Sequence, residues 1–408
     1  MGALIAPRIV TPTGPPPRRR ADLATPMEIV DGALAWDEAG TLIYVGSAAD
    51  LSAPLGAAAT RVGGVVIPGF VDAHTHLPFY GWRADEFEAR VAGRSYRDLH
   101  GEGGGIARSA RLLAAASDEE VIAFCGGLAA EMAVHGTTAF ELKTGYGLSV
   151  EAELRQARLA RSLARSIPQT TTVTLLACHA VPQGMDRRTW VDAVVDELIP
   201  RAADEGLADA VDVYVEDIAF DTDDLRRVAD AASGRGLSVR CHADQLGSSG
   251  AAEAAVEAGA RNADHLNHVS DAGIAALGAS DTAAVLLPVA DLLTRERVPP
   301  VSDLRTSGAA VALATDFNPG TAPCLSVPEV ISTAASLYRL AVGEALTGTT
   351  LNAAWALGLH GPLGSLEVGK QADFLVLDTD DVSMLAYRPG HNPVAQTWIR
   401  GARAVSSA

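Results

Sequence analysis

The sequence is short of positive charge, of aromatic side chains and of paired cysteines, and each shortage excludes something. Its 32 lysines and arginines stand against 50 aspartates and glutamates. The resulting net charge of -18 would repel nucleic acid and anionic membrane surfaces. Aromatics make up 5% of a chain that is 48% hydrophobic, so its apolar content is mainly the small and aliphatic side chains of an Ala-rich globular protein. Cys125, Cys178, Cys241 and Cys324 lie far apart and form no C-x-x-C, which argues against a thiolate zinc knot and a redox pair. No apolar run reaches the roughly 18 residues needed to span a bilayer. The opening MGALIAPRIV lacks a charged segment followed by a long apolar one, so a cytoplasmic protein is expected.

What is present is a regular alternation. From Val65 to Leu359, eight apolar strand-like runs alternate with amphipathic Ala/Leu/Glu/Arg segments such as VEAELRQARLARSLAR and DTDDLRRVADAASGRG. Apolar strands separated by helices imply a parallel sheet, and eight such units imply an α/β fold, a (β/α)8 TIM-like barrel. The segments before and after it, GALIAPRIV, MEIVDGALAWDEAGTLIYVG, GSLEVGKQADFLVLDTD and PVAQTWIRGARAV, read as turn-bounded strands. They predict a small β-sandwich domain built from both termini, residues 1–64 and 361–408, around a catalytic barrel of residues 65–360. The run Pro15 to Arg20 reads as an exposed, solvated loop tip. About 60 residues separate the first barrel strand from the second, an insertion of the kind that shapes a substrate pocket.

In such a barrel the active site lies where the strands end. The first strand ends in His74 and His76, whose side chains share one face because they are two residues apart. The third ends in His179, the fifth in His242, the sixth in His265 and the eighth in Asp316. Neutral imidazoles and a carboxylate converging at five strand ends suit a metal that holds water near neutral pH. His100, His135, His268, His360 and His391 fall in loops or helix-like segments, where surface or capping roles are expected. Cys178 and Cys241 directly precede histidines and are expected on the opposite, buried face.

These residues carry a resemblance. The set G-F-V-D-A-H-T-H, with histidines on the fifth and sixth strands and an aspartate on the eighth, resembles the amidohydrolase superfamily. Within it, EF-x-x-R at Glu86 to Arg90, GGGI at Gly103 to Ile106, KTGYGL at Lys143 to Leu148, HADQL at His242 to Leu246 and ATDFNPGT at Ala314 to Thr321 are similar to the imidazolonepropionase family, over nearly the whole chain.

The resemblance implies one divalent or trivalent metal ion per subunit, zinc or iron, held by His74, His76, His242 and Asp316. It implies hydrolysis of the cyclic amide of 4-imidazolone-5-propanoate to N-formimino-L-glutamate in histidine degradation, in a homodimer. Asp316 would move the proton, with His265 and His179 polarising the carbonyl or stabilising the oxyanion. Arg83 would grip the substrate carboxylate with its forked guanidinium. Tyr96, Tyr146, His179, Gln245, Asn318, Gly320 and Thr321 would complete the small-molecule site. Gly104-Gly105 lacks a following G-K-[ST] and reads as a pocket loop rather than a phosphate loop. Lys143 ends the second strand and is expected in a structural ion pair rather than as a carbamylated bridge between two metals.

Two alternatives stay open at this level. Mononuclear ring deaminases carry a proton-shuttling glutamate three residues after the fifth-strand histidine, and this chain has Gln245, which disfavours deamination. Trp82, Asn267, His268 and Val289 to Leu292 depart from the family's pattern and are expected around the pocket. A related amidohydrolase acting on another carboxylate-bearing cyclic amide is therefore the second alternative.

Overall fold

The computed structural model describes residues 1–94 and 104–406. Before the barrel come β1 (Gly2–Thr11), β2 (Met27–Trp36), β3 (Leu42–Ser47), β4 (Thr60–Arg61) and β5 (Val66–Pro68). Eight strands then alternate with helices: β6 (Phe70–Asp72), β7 (Thr137–Lys143), β8 (Thr170–Cys178), β9 (Ala210–Val215), β10 (Ser238–Ala243), β11 (Asn262–His265), β12 (Ala283–Leu286) and β13 (Ala310–Leu313). The chain finishes with β14 (Phe374–Leu377), β15 (Val394–Ile399) and β16 (Ala402–Ser406).

Strands β6 to β13 pair in sequence order, each parallel to the next. The ends of the first and eighth meet just past their regular strands. Thr75 bridges Phe317, the His76 amide donates to the Phe317 carbonyl at 2.9 Å, and Asp72 accepts from the Thr315 amide at 3.0 Å. The sheet thus closes into the expected barrel, and the eight expected strands are the eight observed.

Helices cover it by burying one stripe each. Val150–Ser166 starts at Ser149, whose side chain accepts from the Ala152 amide, and buries Leu154, Ala157, Ala160 and Leu163, spaced three apart along one face. Thr222–Ser233 is fixed at its start by a reciprocal Asp221 and Asp224 capping box. Cys178 and Cys241 are buried, as their strand positions require.

The outer strands form one continuously bonded sheet in the order β16-β15-β14-β5-β1-β2-β3, with β4 on the side of β1. Period-two alternation fills both of its faces: Leu4, Leu34, Trp36 and Phe374 pack in one cluster, Ala3, Ile5, Ala33 and Ala35 in another. Strand β5 gives this sheet its link between the termini, parallel to β1 and antiparallel to β14. The run from Val65 to His76 therefore serves both sheets, with the switch at Gly69. A Cβ there would lie 2.2 Å from Thr138 Oγ1, so only glycine fits. The small sheet reaches Pro68, four residues past the expected boundary.

The arginine-bearing segment is not the solvated loop tip that its composition suggests. Arg19 donates to the carbonyls of Gly308 and Ser280 at 3.1 and 2.8 Å, and Arg20 to that of Ser307 at 3.1 Å. With Leu23 buried in the main core, this segment is a strap across the end of the barrel remote from the strand carboxyl ends. The insertion after β6 supplies helices Ala84–Val91, Gly105–Ala115 and Asp118–Val134, the first two of which reach the cavity mouth.

Candidate metal centre and active site

His74 and His76 leave β6 on one face, as their spacing requires, and meet Asp316 from beyond β13. His74 Nε2 and His76 Nε2 are 3.2 Å apart, and Asp316 Oδ1 lies 3.5 Å from the first and 3.2 Å from the second. The His242 ring stands 4.5 Å from that of His74, centroid to centroid, and the His265 ring 5.5 Å. All five side chains are buried.

Backbone strain helps to aim two of them. His265 and Asp316 have φ of +75° and +55°, the left-handed region that non-glycine residues rarely enter. At His265 this break in pleating lets consecutive residues, Asp264 and His265, both face the site.

Two of the ligand-type histidines, His74 and His242, are oriented from behind. His74 Nδ1 donates to Asp264 Oδ2 at 2.6 Å and His242 Nδ1 to Asp212 Oδ1 at 3.1 Å, which turns both Nε2 lone pairs toward the centre. Burial pulls the pKa values of His74, His76, His179 and His265 well below the usual imidazole range, and nearby cationic groups add to it. Neutral imidazoles result.

The carboxylates share buried cations. Lys143 Nζ lies 2.5 Å from Asp212 and 2.9 Å from Glu141, and Arg240 donates to Glu141 at 2.6 Å. Burial would raise Asp212, but its hydrogen-bonded neighbours His242 and Lys143 outweigh it and hold this carboxyl well below its ordinary value. Burial pushes Asp264 up and Asp316 up to about 7.

The donor set fits a metal cation. His242 Nε2, His265 Nε2 and His265 Nδ1 are buried with no hydrogen-bond partner among the described residues, and the Nε2 atoms of His74 and His76 face each other and a carboxylate oxygen. Converging buried ring nitrogens without partners are costly unless a cation sits among them. Two ligand sets, His74/His76/His242 and His74/His265/Asp316, share His74 and describe one centre. Asp212, His242 and Asp264 also lie close enough to bind an ion. Their carboxylates, however, are already engaged by Lys143 and by the histidine Nδ1 atoms, so they form the support behind the centre.

The centre floors a cavity of about 470 Å³ lined by His76, His179, His242, His265 and Asp316, and above them by Arg83, Tyr146, Tyr214, Gln245, Asn318 and Thr321. Arg83 is 3% exposed, with Nη1 3.4 Å from Glu86 Oε2 and Nε without a partner among the described residues. Glu86 also accepts the Gly105 amide at 3.2 Å, and Arg90 donates to the Gly320 carbonyl at 2.9 Å. The Gly104-Gly105 pair accordingly opens a helix tied to Glu86 instead of forming a free loop.

Gly320 does not line the cavity. It is the seat of Arg83, since a Cβ there would fall 1.8 Å from Nη2. Asn318 spends its side chain on its own loop: Oδ1 accepts from the amides of Gly320 at 2.9 Å and Thr321 at 2.7 Å, and Nδ2 donates to the Asp316 carbonyl at 2.7 Å. The backbone N–H of Gln245 donates to Glu216 at 2.5 Å. Tyr96 lies outside the described residues.

Among the departures, only Leu292 reaches the cavity wall. Trp82 meets Phe79 and Phe124 edge to face, and Val289 is in the core. Asn267 donates to Asp291 at 2.7 Å and to the Arg297 carbonyl at 2.6 Å, behind the wall.

Asp212, Asp264, Glu141 and Arg240 are the functional neighbours that sequence reading missed. Their signal was ionisable side chains inside otherwise apolar strands, as in DAVDVYV and SVRCH.

Known proteins agree with this geometry. Residues 65–404 match the amidohydrolase family. An imidazolonepropionase from Caulobacter vibrioides is 45% identical over 366 residues, covering 88% of this chain and 91% of that protein, and one from Rhizorhabdus wittichii is 43% identical over 370 residues, covering 90% and 92%. Among solved structures, an adenosine deaminase from Xanthomonas campestris with bound zinc superposes with a TM-score of 0.71 at 20% identity, covering 98% of this chain and 92% of that one. E. coli guanine deaminase gives 0.73 at 14% identity, over the full length of both. These two share the fold. From the family match and the 41–45% identical relatives, the chain belongs to the amidohydrolase family, among its imidazolonepropionases.

Proposed function

We propose that the protein hydrolyses the cyclic amide of 4-imidazolone-5-propanoate to N-formimino-L-glutamate, a step of histidine degradation. The observation that carries this reading is a buried guanidinium, Arg83, in the wall of the same cavity whose floor is the His74, His76, His242 and Asp316 cluster. One group grips a carboxylate while the other faces the ring.

When bound at that cluster, zinc or iron supplies the positive charge that acidifies water and stabilises negative charge on the lactam oxygen. Asp316, at the floor of the cavity, takes the proton from the attacking water and returns it to the ring nitrogen as the C–N bond breaks. His265 donates to the lactam oxygen. The Nδ1–H of His179 donates to the Gly145 carbonyl at 3.3 Å, leaving Nε2 to accept from a ring N–H. Gln245 can hydrogen-bond the ring but cannot shuttle protons, which separates this site from that of a deaminase.

The test is to prepare the substrate enzymatically from urocanate and follow loss of imidazolone absorbance, with formiminoglutamate read by mass spectrometry. Conversion that stops on chelation and returns with added metal supports the reading. No conversion by the metal-replete protein would overturn it, and other cyclic amides bearing a carboxylate would be tried next.

A further inference from the structure

The helix Val150–Ser166 reaches back with two side chains to hold the loop that joins it to β7. Glu153 is closed to solvent, and its carboxylate accepts from the amides of Gly145 at 3.1 Å, Gly147 at 2.7 Å and Leu148 at 3.1 Å. Gln156, three residues on and therefore on the same helix face, accepts from the Tyr146 amide at 2.9 Å and donates to the Pro78 carbonyl at 2.8 Å. Four consecutive amides, 145 to 148, thus end on two side chains of one helix.

The peptide between Gly145 and Tyr146 is the one that matters. Its N–H is gripped by Gln156, and its carbonyl accepts from Nδ1 of His179 at 3.3 Å. Glu153 fixes the peptides on either side. The loop can adopt this shape only with glycines. Gly145 has φ +112°, and a Cβ there would lie 2.8 Å from His179 Nδ1. At Gly147 a Cβ would lie 2.3 Å from the Glu153 nitrogen.

Among the described residues the His179 ring has no other hydrogen bond, and its remaining neighbours are the rings of His76, Tyr146, Tyr214 and His242. Its ring stacks on His76 at 5.2 Å and 20°, which sets the plane of the ring but leaves free which nitrogen carries the proton. Tyr146, on the same loop, lies 5.5 Å from His179, centroid to centroid. Which edge of His179 faces the cavity, as donor or acceptor, is therefore decided at the Gly145 carbonyl.

We propose that Gln156 and Glu153 are positioning residues: through the Gly145–Tyr146 peptide they set the tautomer of His179 and the place of Tyr146 in the cavity. The inference rests on the functional reading above only for its kinetic consequence. Neither residue lines the cavity. Their burial and their hydrogen bonds would pass for helix capping, but a cap has no reason to aim a neighbouring carbonyl at a histidine of the cavity wall.

The test uses zinc-loaded full-length protein labelled with ring-15N histidine, the His179 signals being assigned by their absence in His179→Gln. Wild type should show His179 protonated on Nδ1. Gln156→Met, which removes the acceptor while keeping the shape, should give a mixture of His179 tautomers. It should also lower kcat ten-fold or more, with the metal content unchanged. Gln156→Glu restores an acceptor for the Tyr146 amide and should recover most of both signals. Glu153→Gln should act in the same direction as Gln156→Met. A wild-type His179 tautomer in folded Gln156→Met would overturn the proposal, with or without a working substrate assay. An unchanged tautomer ratio with lowered activity would reduce both residues to scaffolding. If the wild type fails to convert the imidazolone, the functional reading falls and the tautomer measurement alone decides.

Discussion

Lys143 Nζ lies 2.5 Å from Asp212 in a site closed to solvent, and Asp212 in turn holds Nδ1 of His242. The same ammonium stands 3.7 Å from Asp264, which orients His74. One cation therefore steadies the supports of two metal-facing histidines on different strands. Lys143 is shared by Glu141, Asp212 and Asp264, and Arg240 reaches Glu141, so removing Lys143 leaves Asp212 without its buried cation. Breaking a buried ion pair costs about 3–5 kcal/mol. Lys143→Met is expected to lose stability of that order in denaturant unfolding, and to retain less metal after gel filtration. A wild-type midpoint with full metal content would show that Lys143 is dispensable to both.

Arg83 and Gly320 yield a paired expectation. Charge-assisted hydrogen bonds contribute about 1.5–3 kcal/mol, so Arg83→Ala should raise KM roughly ten- to a hundred-fold with metal retained. Arg83→Lys should restore little, because an ammonium cannot grip a carboxylate with two parallel N–H groups. Gly320→Ala should mimic the arginine substitutions, since its Cβ would fall 1.8 Å from Nη2. Steady-state kinetics separates the cases, and an unchanged KM in Arg83→Ala would remove this residue from carboxylate recognition.

The barrel was legible in the sequence because each strand is an apolar run bounded by turn signals and each helix carries one apolar stripe. The same logic exposed His74, His76, His242 and Asp316, which sit at strand ends where ionisable groups have no packing role. Asp264 was not legible. A strict period of two would send it away from His265, and only the left-handed backbone at His265 brings both to the site. Asp212 was hidden for another reason: its partners His242 and Lys143 arrive from neighbouring strands, and no local pattern encodes that contact. The docking of Arg19 on carbonyls 261 and 289 residues away is non-local in the same sense. The sheet change at Gly69 depends on the Thr138 side chain across the strand pair, so Pro-Gly announces a turn without saying which sheet follows.

Asp316→Asn should bind substrate yet turn over very slowly. General acid–base catalysis contributes about 10²–10⁴-fold, and an amide can neither take nor return the proton. The side chain stays nearly the same size, so folding should survive. Single-turnover kinetics beside a binding titration distinguishes this from simple loss of affinity. Substantial residual kcat would place the base elsewhere.

Asp291 makes stability depend on pH. It is buried, accepts from Asn267 at 2.7 Å and from the Tyr338 hydroxyl, and holds the segment whose residues Leu292 to Glu296 line the cavity. Burial raises its pKa to about 7, which the two hydrogen bonds only partly offset. A carboxyl that binds its proton more tightly when folded favours the folded state at low pH. That contribution is complete below the unfolded pKa near 3.8 and is lost as pH rises through about 7. The loss can reach about 1.4 kcal/mol per pH unit in that window. Burial also raises Asp72 and Glu216 to about 7, and both add to the slope of the wild type, so the informative quantity is the difference between proteins. Asp291→Asn keeps the shape, can still accept from Asn267 and cannot ionise. It should flatten the fall in stability between about pH 4 and 7 and melt higher than the wild type at pH 8. Parallel pH profiles for the two proteins would mean that Asp291 carries its charge in the folded state at no cost.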